Sequence, residues 1–180
     1  ANAKVTLGGI LGQIGSMHAA EREMREAVTL LEEGSKYYPE ESRYKLELAK
    51  HRIELGSLYW MVQQPQEASP FVRHAVQELQ SLPSERQQDP EAVFILARAY
   101  NTRGNLNRET NVAQEAENDY KMCIELATRI KDIYIDKKSA LKLISAALHN
   151  LSLIYSGEKK YIKSLEALEE SDQLLRQAPS

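Results

Sequence analysis

The sequence is poor in every residue that would hold a chain together by something other than packing. Of its 180 residues only Cys123 is a cysteine, so an intramolecular disulfide or a multi-cysteine zinc site is impossible. Eight glycines and six prolines leave few places to interrupt regular structure. One tryptophan and two phenylalanines leave the aromatic contacts mainly to nine tyrosines. Neither sign of charge dominates: 23 Lys and Arg against 26 Asp and Glu give a net charge of −3, which argues against a nucleic-acid partner. No apolar run approaches the ~20 residues needed to span a bilayer, so direct membrane insertion is not expected and a cytoplasmic location is. The first residue, Ala1, is not a methionine, which leads us to expect a processed or trimmed chain.

What is present favours helix. Ala, Leu, Glu, Gln, Lys and Arg supply 96 residues, against 23 of Val, Ile and Thr, so an all-α fold is expected before any pattern is read. Turn signals at Gly15, Pro39, Pro65, the Pro83 to Pro90 stretch, Gly104 and Gly157 cut the chain into eight helical segments. These are 4–14, 16–35, 42–62, 64–82, 89–102, 110–135, 136–156 and 160–176. Asp89-Pro90-Glu91 reads as an N-cap, a first-turn proline and an acidic dipole partner, and Asn111 with Gln114 has capping-box spacing. Pro70 implies a helix start at Ser69 or a kink. Stripe residues recur at steps of 3 and 4: Tyr44, Leu48, His51, Leu55, Leu58 and Val62 in the third segment, and Ala113, Ala116, Tyr120, Cys123, Ala127, Ile130 and Tyr134 in the sixth. The seventh is apolar on two flanks and should be sandwiched between neighbours.

The chain also repeats itself. Leu7-Gly8, Leu55-Gly56, Leu96-Ala97 and Leu151-Ser152 each pair a leucine with a small residue, followed four residues after the leucine by Leu11, Tyr59, Tyr100 or Tyr155. A small-large-small ladder follows on the next helix: Ala20, Met24, Ala27; Ala68, Val72, Ala75; Ala116, Tyr120, Cys123; Ser164, Leu168, Ser171. Small residues let antiparallel helices approach, with Gly56 expected against Ala68. This pattern resembles the tetratricopeptide repeat (TPR), a two-helix unit that stacks into a right-handed α-α superhelix. Gly15 and Gly104 match the family's turn glycine and Tyr161 its following aromatic, while Gln63 and Lys159 replace the glycine in the second and fourth units. The leucines stand 48, 41 and 55 residues apart instead of the family's 34, and each excess is a multiple of seven, or about two helical turns. Tyr38-Pro39 and Tyr44, Lys45, Glu47, Leu48, Ala49 before Leu55-Gly56 resemble the long-period TPR arrays of large bacterial regulatory proteins, often attached to kinase domains. HEAT or armadillo repeats are the alternative, and the leucine-glycine pairs argue against them. The expected architecture is one TPR-like domain over residues 1–180, with units 1–38, 39–83, 84–135 and 136–180.

No catalytic, cofactor or metal site is expected. Gly8, Gly9, Gly12 and Gly15 form neither a G-x-G-x-x-G nor a Walker sequence. His18, His51, His74 and His149 share no metal-ligand spacing; His51 lies on an apolar stripe and Cys123 among apolar residues. The resemblance therefore implies a non-enzymatic module that holds a protein or peptide partner, an extended segment or a helix, in a concave groove. By that resemblance the groove residues are Lys50, Ser57, Trp60 and Met61; Arg98, Asn101 and Thr102; and His149, Asn150 and Leu153. The amides suit a peptide backbone, and Lys50 and Arg98 suit carboxylates. Trp60 stands about 140° round the helix from Leu55, off the buried stripe, with a place between two helices as its alternative. The clamp by which some TPR domains grip chaperone C-termini is not matched, because its places carry Val5, Gly9, Glu54, Glu91 and Ile95. Two other roles fit the same architecture: a self-associating scaffold, and a small-molecule sensor or enzyme pocket in the groove. The last helix, with Tyr161, Leu165, Leu168 and Leu175 on one flank, is expected to cap the array and leave a monomer.

Overall fold

A computed structural model describes residues 17–177. The expected first helix, 4–14, and Gly8, Gly9, Gly12 and Gly15 lie outside the described residues. Among those described there is no strand. The helices are α1 (Met17–Tyr37), α2 (Ser42–Met61), α3 (Pro65–Gln80), the single turn α4 (Ser84–Gln87), α5 (Pro90–Glu109), α6 (Ala113–Ile130), α7 (Lys137–Gly157) and α8 (Tyr161–Gln177). The chain divides after Gln87 into two compact units. In the first, α2 packs between α1 and α3; in the second, α6 packs between α5 and α7, and α7 also packs on α8. The sandwiching of α7 follows from its two apolar flanks: Ala140, Leu141, Ile144, Ala147, Leu148 and Leu151 are all buried.

Helix starts follow their local chemistry. Asp89 caps α5 by accepting the Glu91 N–H at 2.9 Å, with Pro90 in the first turn where its missing N–H costs nothing. Asp136 does the same for α7, accepting from Ser139 N–H at 3.0 Å and Ser139 Oγ at 2.6 Å. α3 begins at Pro65 and carries Pro70 inside it, on the exposed side, so no new start occurs at Ser69.

Three turns are built alike. Gln63, Asn111 and Lys159 have φ of 59°, 60° and 61°, the left-handed conformation that ends a helix. In each the next residue donates its N–H to the carbonyl five residues back: Gln64 to Tyr59 (2.9 Å), Val112 to Asn107 (2.8 Å) and Lys160 to Tyr155 (2.8 Å). These turns stand 48 residues apart, which corrects the third repeat. Its small residue is Gly104, following Arg103, and the partner of Tyr59 and Tyr155 is Asn107; Leu96-Ala97 and Tyr100 lie one heptad early. Gly104 is therefore no turn glycine: it sits inside α5, and a Cβ there would stand 2.7 Å from the Tyr120 ring. A Cβ on Gly56 would stand 2.4 Å from Val72, again sixteen residues on, with the Ala68 carbonyl 3.5 Å away. The ~1 kcal/mol that a mid-helix glycine costs is offset by the close packing it permits. The Asn111–Gln114 capping box does not form, since Asn111 is used for the turn and Val112 is the N-cap, without a side-chain bond.

Burial follows the same period. Ala68, Val72 and Ala75, and Ala116, Tyr120 and Cys123, are fully buried. In the last ladder Ser171 is buried against Ser145, their hydroxyls 2.7 Å apart, but Leu168 is not. Tyr161, Leu165, Leu168 and Leu175 are 40% to 65% exposed, so the flank expected to be packed faces solvent and α8 does not cap itself with a polar surface. The spacing shows that these residues share a flank; whether a neighbour covers it is a tertiary fact.

Candidate functional site

The expected partner-binding residues fall on two faces, one in each unit. In the first unit they lie along α2. Lys50 is half-buried and pairs with Glu47 at 3.0 Å, one turn away. Ser57 and Trp60 are half-buried, and Met61 is 70% exposed beside the tryptophan, at the end of α2 just before the Gln63 turn. This position keeps the indole off the buried stripe of Leu48, Leu55 and Tyr59.

In the second unit Arg98 and Asn101 are half-buried on α5, His149 is exposed and Asn150 half-buried on α7, and Leu153 is exposed one turn further on. Thr102 is buried, its hydroxyl donating to the Arg98 carbonyl at 3.0 Å, and is removed from the surface. Asn150 Nδ2 donates to Asn105 Oδ1 at 3.0 Å, and Tyr120 Oη donates to the same oxygen at 2.8 Å. Asn105 thus joins α5, α6 and α7. The 48-residue register finds two residues that the slipped register misses: Asn105 is the counterpart of Ser57, and Arg108 of Trp60. Lys50 likewise corresponds to Arg98. Asn101 Oδ1 and Arg108 Nε are buried without a hydrogen-bond partner, and the Arg98 guanidinium makes no ion pair or hydrogen bond among the described residues.

Elsewhere the charged groups are occupied in holding helices together. Tyr59 Oη donates to Glu21, which also accepts from Arg25 Nε at 3.0 Å; Tyr155 Oη donates to Glu117 at 3.2 Å, which accepts from Lys121 at 2.6 Å. The Tyr59 bond, then Arg25, holds Glu21 below the usual carboxylate range; Lys121 first, and Tyr155 less, does so for Glu117. Arg103 binds Asp119 through two nitrogens, joined by Asn107 Nδ2 at 2.9 Å, and that ion pair raises the guanidinium pKa. Buried Arg52 lies between Glu32 and Glu78, and burial raises the Glu78 pKa. Burial pushes the Cys123 thiol pKa far up, away from the thiolate. His51 is buried, its Nδ1 3.5 Å from Glu54. Among the described residues no cluster of three His, Cys, Asp or Glu is placed to hold a metal ion. Nor, among them, is any helix long and apolar enough to cross a membrane.

No family model and no curated protein matches the sequence. Among solved structures, BtubC (BKLC) from P. vanneervenii superposes with a TM-score of 0.73 at 14% identity, over 95% of this chain and 61% of that one. The chain thus spans about three-fifths of BtubC, and the likeness is one of fold. MamA aligns over 94% of this chain and 95% of its own at 17% identity, but with a TM-score of 0.35 the superposition is too loose to compare folds.

Proposed function

We propose that the protein, all-α among its described residues and built from helical pairs on a 48-residue period, is a TPR-like, non-catalytic protein-interaction module. Partners are held on the faces of the first helix of each pair: α2 through Lys50, Ser57, Trp60 and Met61, and α5 with α7 through Arg98, Asn101, His149 and Asn150. The observation that carries this reading is the contrast between ion pairs that are satisfied and a face that is not. The carboxylates of Glu21, Glu117 and Asp119 are all bound, whereas Arg98 and Asn101 Oδ1 are left without partners at half-buried positions. A half-buried tryptophan beside an exposed methionine is also the composition of an interaction hot spot.

Titration of the full chain with a peptide library, followed by Trp60 emission and acrylamide quenching, tests this. Trp60→Ala should weaken binding on α2 by about 2 kcal/mol with little loss of stability. An indole fully shielded from acrylamide in the free protein removes Trp60 from the face, and the absence of binding by any peptide or protein removes the reading. Self-association is a second reading, favoured by the exposed apolar flank of α8. Sedimentation over a hundredfold dilution separates the two, because only self-association is lost on dilution.

A further inference from the structure

Along α5, Arg98, Asn101, Asn105 and Arg108 follow one another at steps of 3, 4 and 3, and so form one narrow stripe on the helix. We infer that this stripe holds an extended acidic peptide through two side-chain carboxylates four residues apart, an inference that rests on the interaction reading above and specifies its partner. Cations stand at both ends and amides in the middle. The ten residue steps from Arg98 to Arg108 rise about 15 Å, and four steps of extended chain cover about 13 Å. Residues four apart in an extended chain also point to the same side, so both carboxylates can face α5.

The middle of the stripe suits a peptide backbone. Asn105 is only 9% exposed, at the floor of the stripe; its carbonyl oxygen is taken by Tyr120 Oη and Asn150 Nδ2, which fixes the amide and leaves Nδ2 as its remaining donor, without a partner among the described residues. A donor already held in place loses little freedom on meeting a peptide carbonyl. Asn101 Oδ1 is an acceptor with no donor, and a half-turn of its amide presents it to a peptide N–H. At the ends, Arg98 has no anion among the described residues, and Arg108 has only Glu109 at 3.3 Å; its Nε is buried, so a carboxylate would meet the terminal nitrogens. A guanidinium lacking a good anion favours a carboxylate over a neutral side chain, because the charge-assisted bonds it forms are about twice as strong as neutral ones. The recognised groups are side chains, and a free C-terminus is not required.

The test uses the full chain and nine-residue, C-terminally amidated, fluorescein-labelled peptides read by anisotropy. Their two glutamates are two, four or six residues apart, and one control has both replaced by glutamine. Binding should be tightest at a separation of four and at least tenfold weaker for the glutamine control. Arg98→Glu and Arg108→Glu should each weaken the acidic peptide at least tenfold without lowering the melting midpoint, and peptides with one Glu→Lys replacement should bind the matching reversal variant better than the parent. Equal binding of the acidic and glutamine peptides overturns the inference while leaving the interaction reading intact. If none of these peptides binds but library peptides still do, the inference also falls. Failure of every peptide and protein overturns both.

Discussion

The two compact units use one plan and present different chemistry on it. In the first, the positions on the candidate face of α2 read Lys50, Ser57, Trp60 and Met61; one period later, on α5, they read Arg98, buried Asn105, Arg108 and Glu109. An aromatic and apolar end in one unit corresponds to a charged end in the other. The inward positions differ much less: Gly56 against Val72 and Gly104 against Tyr120 are the same contact, and the turns at Gln63, Asn111 and Lys159 share one conformation and one bonding pattern. Packing and turns hold the period, because a displaced small residue would cost contacts on two helices. Apart from Asn105, which ties α5 to α6 and α7, the candidate-face positions carry no such constraint and are free to select partners.

The correspondence breaks most sharply at its glycines. Gly56→Leu and Gly104→Leu should each destabilise by about 1–3 kcal/mol, since the added side chain meets buried Val72 or Tyr120. Gly157→Ala, with nothing within 4 Å of its added Cβ, should be neutral or stabilising by up to about 1 kcal/mol. Thermal melts of the three variants check both statements, and a harmless Gly104→Leu would break the 48-residue register.

The tyrosine clasps allow a finer comparison. Tyr155→Phe, which loses a bond to the Glu117 carboxylate, and Tyr59→Phe, which loses bonds to both Glu21 and Arg25, should each cost about 1–3 kcal/mol by chemical denaturation. Smaller still is the effect of the turn residues. Gln63→Gly and Lys159→Gly should stabilise by a few tenths to about 1 kcal/mol by relieving a positive φ, and Asn111→Gly by less, because asparagine tolerates that conformation. The last comparison is electrostatic. Glu21 and Glu117 have lowered pKa values in the folded chain, so each contributes stability above its unfolded pKa that is lost as pH falls through the folded one. Carboxyl titration by NMR should show Tyr59→Phe raising the Glu21 pKa more than Tyr155→Phe raises that of Glu117, because Lys121 is the larger cause at Glu117.

Much of this plan is legible in the sequence. The ladders beginning at Ala20, Ala68, Ala116 and Ser164 already stand 48 residues apart, and the Asp89 cap follows from residue chemistry. The third repeat is harder to place because Leu96-Ala97 followed by Tyr100 imitates the leucine-small-tyrosine pattern one heptad early, on a similar side of the same helix. Left-handed backbone at Gln63 and Lys159 leaves no glycine to mark it, so Gly104 attracts the assignment that belongs to Asn111. On the candidate faces, residue types announce what could bind a peptide, but whether an amide is occupied depends on a neighbouring helix. Thr102 turns out to be buried, and Asn105 becomes visible only with the corrected register. The solvent-facing flank of α8 escapes for the same reason.

The complete burial of Cys123 in α6 has a practical side. With no solvent exposure and a thiol held in its protonated form, the sole native sulfhydryl should stay silent towards maleimides while the protein is folded. A cysteine introduced at the exposed Met61 position can therefore carry a fluorophore alone, in an otherwise native background. Any later labelling of Cys123 would then report directly on the opening of the helix pair that encloses it.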